Sequence, residues 1–487
     1  MKKLIAIVLA LVTCLATVSC ATGTGEEGTS APDNSSSNTG ESEDTGEPLE
    51  LPEFNFNGKT LTFLVRGSDA GEWQTVDIYT DKLNSEPVND AVYQRNDLIQ
   101  SKYNVQIAQL PLESGETAQQ KVSTEVRSGT GEFQAAITKL GEAAAIATQN
   151  LLYDLNSTDI SHIDLEKSWW DTKAVSELSV DGKLYYATGD LLTSDNDGTF
   201  IIMFNKKIME DKKLGNIYEL VDNKQWTLDK MYELEQNAIE SVDGQLQYDN
   251  GIIGFAVTSN VPYALLYGTG VSIVKKNNQD IPEYSLDIDK AATAIDAAIQ
   301  LMSKEVALDM EVVGNKDVVE NGLKCFGEGH ALFYGECLQC VTRLRVHKLD
   351  FGVIPYPMLN EAQGEYYSHM NEVGGMVSIL KSVTGDNLEM TCAMIEAMAY
   401  YSKQYLTPAY YEKNLIAKGL QDEESGPMVD LILQTRVYDL AYVYGWSGAT
   451  GSIRGMIAGG RNQIASQASR WSNSLKKEIQ KFMNTVE

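Results

Sequence analysis

"FNGKTLTFLVRG", residues 56–67, is where the chain first reads as a buried strand. Leu61, Phe63 and Val65 alternate with Thr60, Thr62 and Leu64, the two-residue period of a strand. The next segment, "VNDAVYQRNDLIQSKYNVQIAQLPL" (88–112), changes period. Val88, Val92, Ile99 and Tyr103 share one helical face, Asn89 or Asp90 is placed to cap it, and 105–110 returns to a strand. "TAQQKVSTEVRSGTGEFQAAIT" (117–138) repeats the logic with a helix, a Gly-rich turn and a short buried strand at 133–137. Strand, helix, strand, helix, strand makes βαβ units and a mainly parallel sheet.

Further along, "GTFIIMFNKKIMED" is an apolar strand running into a helix. "WTLDKMYELEQNAI" is a helix start in which Thr227 caps, Asp229 occupies the first turn and Trp226 staples onto Met231. "GIIGFAV", "HALFYG", "DFGVIPYPM" and "GGMVSIL" read as short core strands, followed by a helix over about 386–405. Ile464, Ala468, Trp471, Leu475, Ile479 and Phe482 step by four and three along a last helix. With 487 residues, the chain exceeds the roughly 250–300 at which one core stops growing, so two or more domains are expected.

The N-terminus has a different character. Lys2 and Lys3 precede an almost wholly apolar run, 4–16, and Ser19 precedes Cys20. This is a secretory signal rather than a membrane span. It resembles the bacterial lipoprotein signal, in which the cysteine is lipidated and becomes the first residue; Cys20 is then the anchor and 1–19 is removed. An ordinary secreted protein with a cysteine near its cleavage site is the alternative. Up to residue 50 the chain is small, polar and acidic, a composition that predicts a disordered leash over 20–50. The net charge of −29 argues against nucleic acid or anionic lipid as a partner.

Catalytic and metal patterns are weak. His162, His330, His347 and His369 form no HExxH, there is no GxSxG, no P-loop, and no GxGxxG after a strand. "TSDNDGTF" fails as a calcium loop, because Thr193 and Phe204 fall at the two ligand ends. Cys337 and Cys340 form a CxxC without a second ligand pair, so Cys325, Cys337, Cys340 and Cys392 read as buried thiols or an incidental bridge. No cofactor and no metal is expected. With 68 acidic residues some carboxylate pair must meet by chance, which keeps a polysaccharide hydrolase open but does not favour it.

The aromatic residues are more informative. Sugar rings stack apolar C–H faces on aromatic planes and need polar side chains for their hydroxyls. Six Trp and 24 Tyr include mixed clusters at "RGSDAGEW" (66–73), "SWWD" (168–171), "GDLLTSDND" (189–197), "FYGE" (333–336) and "YGWSG" (444–448). Trp226 and Trp471 are assigned to packing. Trp73 and Trp446, set among Gly and polar residues, are assigned to loops, and adjacent Trp169 and Trp170 are expected to face different ways.

The order of segments is what carries a family likeness. "FNKK", "WTLDK" and "GEGHALFYGE", followed by "DFGVIPYPM", "GGMVSIL" and terminal helices, resemble the extracellular solute-binding proteins of ABC importers, in the carbohydrate branch. "LQDEESGPMVDLI" and "RVYDLAYVYGW" resemble its long-chain variants. The resemblance implies an α/β, two-lobe periplasmic-binding-protein-like fold, each lobe a mainly parallel sheet flanked by helices, with extra C-terminal helices. By analogy one lobe takes 51–140 and 368–415, the other 141–367 and 416–487. It implies capture of a sugar or oligosaccharide between the lobes without chemistry, delivery to an ABC permease, and a lipid-anchored monomer on the outer face of the cell membrane. The implied ligand contacts are Arg66, Asp69, Trp73, Asp190, Asp195, Tyr334, Glu336, Glu372 and Trp446. A binding protein for a peptide or polyamine is the further alternative, with Asp69, Asp195 and Glu372 facing a cation.

Overall fold

The computed structural model describes residues 46–313, 317–416, 420, 422 and 424–486. The signal 1–19, Cys20 and the leash up to residue 45 lie outside the described residues. In chain order the strands are β1 (Lys59–Val65), β2 (Val105–Pro111), β3 (Ala135–Lys139), β4 (Phe200–Asn205), β5 (Ile253–Val257), β6 (Val274–Lys276), β7 (Pro282–Tyr284), β8 (Ala307–Asp309), β9 (Ala331–Cys337), β10 (Phe351–Ile354), β11 (Ser368–His369), β12 (Gly375–Ile379) and β13 (Arg436–Val437).

Two sheets organise the molecule. The first has the order β12-β3-β1-β2, with β1, β2 and β3 parallel and β12 antiparallel at its edge. The second has the order β10-β4-β9-β5-β8, in which β10, β9, β5 and β8 run in one direction and β4 alone is antiparallel to both its neighbours. The alternation of β1 holds only at its start. Leu64 is as buried as Leu61 and Phe63, because β1 is an inner strand and both faces of a helix-flanked parallel sheet are covered.

The helices between them follow the apolar stripes. Val92, Ile99 and Tyr103 of the helix Pro87–Tyr103 are buried. Its start differs from the expectation. Pro87 opens the helix, where a missing N–H costs nothing, and Asp90 accepts from the backbone N–H of Asn84 at 2.9 Å, pinning the preceding loop instead of capping. Thr227 does cap, accepting from Lys230 N at 3.3 Å. The last helix, Ile464–Val486, buries all six residues of its stripe, each side chain contributing roughly 1.5–3 kcal/mol if large and apolar.

The chain passes between the sheets three times, after β3, after β10 and after the helix Asp386–Pro408. Leu152 bridges Leu380 and Ala187 bridges Val377, which ties both ends of 141–190 to the first sheet, while Ser179 and Asp181 between them bond Asp280 after β6. The first passage therefore falls at about 190–199, later than the expected 140/141 boundary. The three passages are laced together. Thr199 bridges Met370, and β11 pairs with β13 in parallel. Arg436 of β13 is held by Asp171 at 2.8 Å and Asp195 at 3.1 Å.

Candidate functional site: the gap between the two sheets

The carboxyl ends of the parallel strands of the two sheets face each other. Gln339, just beyond β9, donates to Glu72, just beyond β1, at 3.4 Å. Asn371 Nδ2 donates to Cys337 Sγ at 3.5 Å, and Asn371 N donates to Gly198 O at 2.9 Å. A ligand crevice in open α/β sheets lies at such strand ends.

On the first-sheet side, β1 delivers Arg66. The residue is buried; Nη1 donates to Val373 O at 2.7 Å, while Nε and Nη2 have no hydrogen-bond partner among the described residues. Burial pulls its pKa down, opposed by the charges of Asp77, Glu142 and Asp197. Asp69 is exposed and Trp73 half-buried on the short helical turn Ser68–Trp73. Glu372 is exposed on the passage into β12.

On the second-sheet side, Glu336 near the end of β9 is buried. It accepts from Thr258 Oγ1 at 2.8 Å and from Cys337 N at 3.1 Å, and burial raises its pKa against those bonds. Two tyrosines that the sequence reading passed over complete this wall. Tyr263 is half-buried on the helix Val261–Gly268, directly after β5, and Tyr442 is half-buried on the turn Leu440–Val443. Their rings meet edge-on at 5.4 Å. Glu372 N donates to Tyr442 Oη at 3.1 Å. Arg454 pairs with Glu311 at 3.4 Å and hydrogen-bonds Tyr263, while burial, helped by the charge of Glu372, holds the Tyr263 hydroxyl above its ordinary value. Two partly buried tyrosines, two carboxylates and a guanidinium are thus linked at one place. The available signal was "RVYDLAYVYGW", whose tyrosines recur at helical spacing, and a Pro-Tyr pair two to three residues into a helix that follows a core strand.

Four expected contacts are placed elsewhere. Tyr334 is fully buried in β9, an inner strand covered on both faces; its hydroxyl donates to Val319 O at 3.3 Å, and Gly322 leaves room for its ring. Trp446 is on the expected loop but turned inward, stacked on Tyr444 at 4.9 Å and edge-on to Phe482 of the last helix. Asp190 and Asp195 belong to the lacing. Asp190 accepts from Thr407 Oγ1 at 2.7 Å and Asp195 binds Arg436; burial pushes both carboxyls up to about 6. Trp169 and Trp170 do not diverge either. Both indole N–H groups donate at 3.0 Å to the two oxygens of one carboxylate, Glu396, which burial pushes up to about 7.

Cys325, Cys337, Cys340 and Cys392 are buried free thiols. Among the described residues no group of three or more His, Cys, Asp or Glu is placed to hold a metal ion, and no helix is long and apolar enough to cross a membrane.

No protein-family model and no curated protein matches the sequence. Solved structures do match the fold. The GacH receptor of Streptomyces glaucescens GLA.O, solved unliganded and with acarbose, superposes with a TM-score of 0.55 at 15% identity, over 87% of this chain and 99% of its own. An ABC substrate-binding protein from Listeria monocytogenes in complex with cycloalternan gives 0.56 at 11%, over 87% and 99%. A sugar transporter from Rhizobium etli in an open conformation gives 0.57 at 12%, over 86% and 99%. The chain has the two-lobe α/β fold of the periplasmic binding proteins, with two sheets flanked by helices. One of these neighbours is a receptor and another an ABC substrate-binding protein.

Proposed function

We propose that this protein is the solute-binding component of an ABC importer and captures a sugar or oligosaccharide in the gap between its two sheets. The observation that carries the reading is the partly buried Tyr263–Tyr442 pair flanked by Glu372, Arg454 and Glu311. Aromatic edges and faces suit the C–H faces of a pyranose, and paired charged groups suit its hydroxyls. Of the contacts expected from sequence, Arg66, Asp69, Trp73 and Glu372 stay in the proposed site, Glu336 leaves it because both its oxygens are bonded inside the second sheet's lobe, and Tyr263, Tyr442 and Arg454 join it.

The lobes move as units, with residues 46–190 and the β12 region in one and the second sheet with the C-terminal helices in the other. Ligand contacts on both sides favour the closed form, which a permease reads. Cys20 carries the lipid, the leash keeps the protein at the outer face of the membrane, and the protein works as a monomer without turnover or cofactor.

The test is calorimetry and thermal shift against acarbose, cycloalternan, mono- and oligosaccharides, peptides and polyamines. Sugar that raises the melting temperature and is recovered intact supports the reading. Cleavage of the sugar overturns it in favour of a hydrolase. Salt-sensitive polyamine binding without sugar binding overturns it in favour of a cation carrier.

A further inference from the structure

A hollow of ≈ 330 Å³ lies beside the passages between the sheets, lined by none of the residues assigned to sugar but next to Tyr442, whose ring meets that of the lining residue Tyr267 at 6.1 Å. Its walls are Tyr267 and Val271, which follow Tyr263 along the chain, Val274 of β6, Tyr367, and Val437 and Leu440 around β13. Gly270, at φ +66°, lets Tyr367 lie against the backbone; a Cβ there would stand 2.7 Å from its ring. The hollow is partitioned from the gap. Tyr267 stacks on His369 at 4.4 Å, and His369 meets the Tyr442 ring edge-on at 4.4 Å. His369 is buried without a hydrogen-bond partner among the described residues, and burial takes its pKa down to about 3, so the partition is neutral.

The inner charged groups around the hollow are already engaged. Asp439 accepts from Ile273 N at 2.6 Å, Ser272 Oγ at 3.1 Å and, through its other oxygen, Ala441 N at 2.8 Å. Lys276 pairs with Asp280 at 2.5 Å and donates to Ser179 O at 3.0 Å. Glu177 accepts from Tyr438 N at 2.6 Å. Lys275, also on the lining, is exposed. An ion entering the hollow would lose its water without gaining an uncommitted inner counter-charge. A neutral ring pays no such penalty and gains the aromatic and aliphatic walls, and the volume falls at the low end of small-molecule sites, about 300–1,000 Å³.

We propose that this hollow is a second ligand site, distinct from the sugar gap, that takes a neutral aromatic or alicyclic molecule of one ring. The probes are phenol and cyclohexanol, with benzoate as the charged control, measured by saturation-transfer NMR and calorimetry on the full chain. The expected result is saturable binding of the neutral rings, with benzoate weaker by roughly tenfold or more. Val437→Trp, which fills the hollow, abolishes it, and half-exposed Tyr367→Ala weakens it by roughly fivefold or more. Tyr263→Ala leaves it unchanged.

No saturable binding of either neutral probe overturns the proposal. So does binding that survives both hollow variants, binding of benzoate equal to that of phenol, or loss of phenol in Tyr263→Ala, which would place it in the gap. If Val437→Trp fails to unfold cooperatively, Tyr367→Ala decides. Sugar affinity of the native chain is read in parallel, so failure of the sugar reading is seen separately.

Discussion

The lacing between the sheets and the wall of the gap use the same residue types to opposite ends. In the lacing, Asp171, Asp195 and Arg436 are buried and bonded to one another, and Asp190 and Asp197 accept from Thr407 and Tyr410. Among the residues proposed for the gap, Asp69 and Glu372 are exposed, and Tyr263 and Tyr442 are partly buried. A buried charge that is fully bonded within the fold has little left to offer a solute. A half-exposed group can exchange water for ligand hydroxyls at little cost. Candidate contacts are therefore sorted by commitment rather than by chemical type.

The most severe way to break that contrast is Arg436→Ala. It would leave Asp171 and Asp195 buried without their cation and is expected to cost about 3–5 kcal/mol in urea unfolding. A loss under about 1 kcal/mol would mean the lacing is not structural. Trp446→Ala is expected to cost a similar about 3–5 kcal/mol of stability, because the ring packs on Tyr444 and Phe482, while sugar affinity measured by calorimetry stays unchanged. Reduced affinity in a fully folded variant would return Trp446 to the gap.

Tyr263→Ala should do the reverse, weakening sugar binding by about tenfold, ~1.4 kcal/mol, with stability nearly intact. Equal affinity in the variant would remove this tyrosine from the site.

The smallest expected effect is one of pH. Burial pushes Asp197 up to about 7, above the unfolded carboxylate value of about 3.9. The folded chain therefore holds that proton more tightly. Its contribution is complete below about pH 4 and is lost as pH rises through about 7. Relative to Asp197→Asn, the native melting temperature should fall by roughly 3 °C between pH 5 and pH 8. Parallel curves for the two proteins would show that this carboxylate is ionised throughout.

Much of the scaffold was legible locally. The βαβ start, the Thr227 cap and the stripe of the last helix each depend on neighbours within a few residues, and each is observed. The site was legible only in part. Arg66, Asp69, Trp73 and Glu372 are proposed from the family likeness, and local pattern alone does not reach them. Tyr334 was misjudged because a strand's burial on both faces depends on what covers the sheet. Trp446 was misjudged because glycines on either side describe its backbone and say nothing of where its ring turns.

The sequence by itself determined the βαβ start, the longer core strands and the capped or striped helices, since periodicity and capping act over one or two turns. Only the tertiary structure decided that Trp169 and Trp170 share Glu396, that Arg436 binds Asp195 across 241 positions, and that Tyr263 meets Tyr442. Those pairings bring together side chains far apart in sequence. Whether a polar or aromatic group is spent on the fold or left for a ligand is set by those long-range neighbours, and no local pattern encodes them.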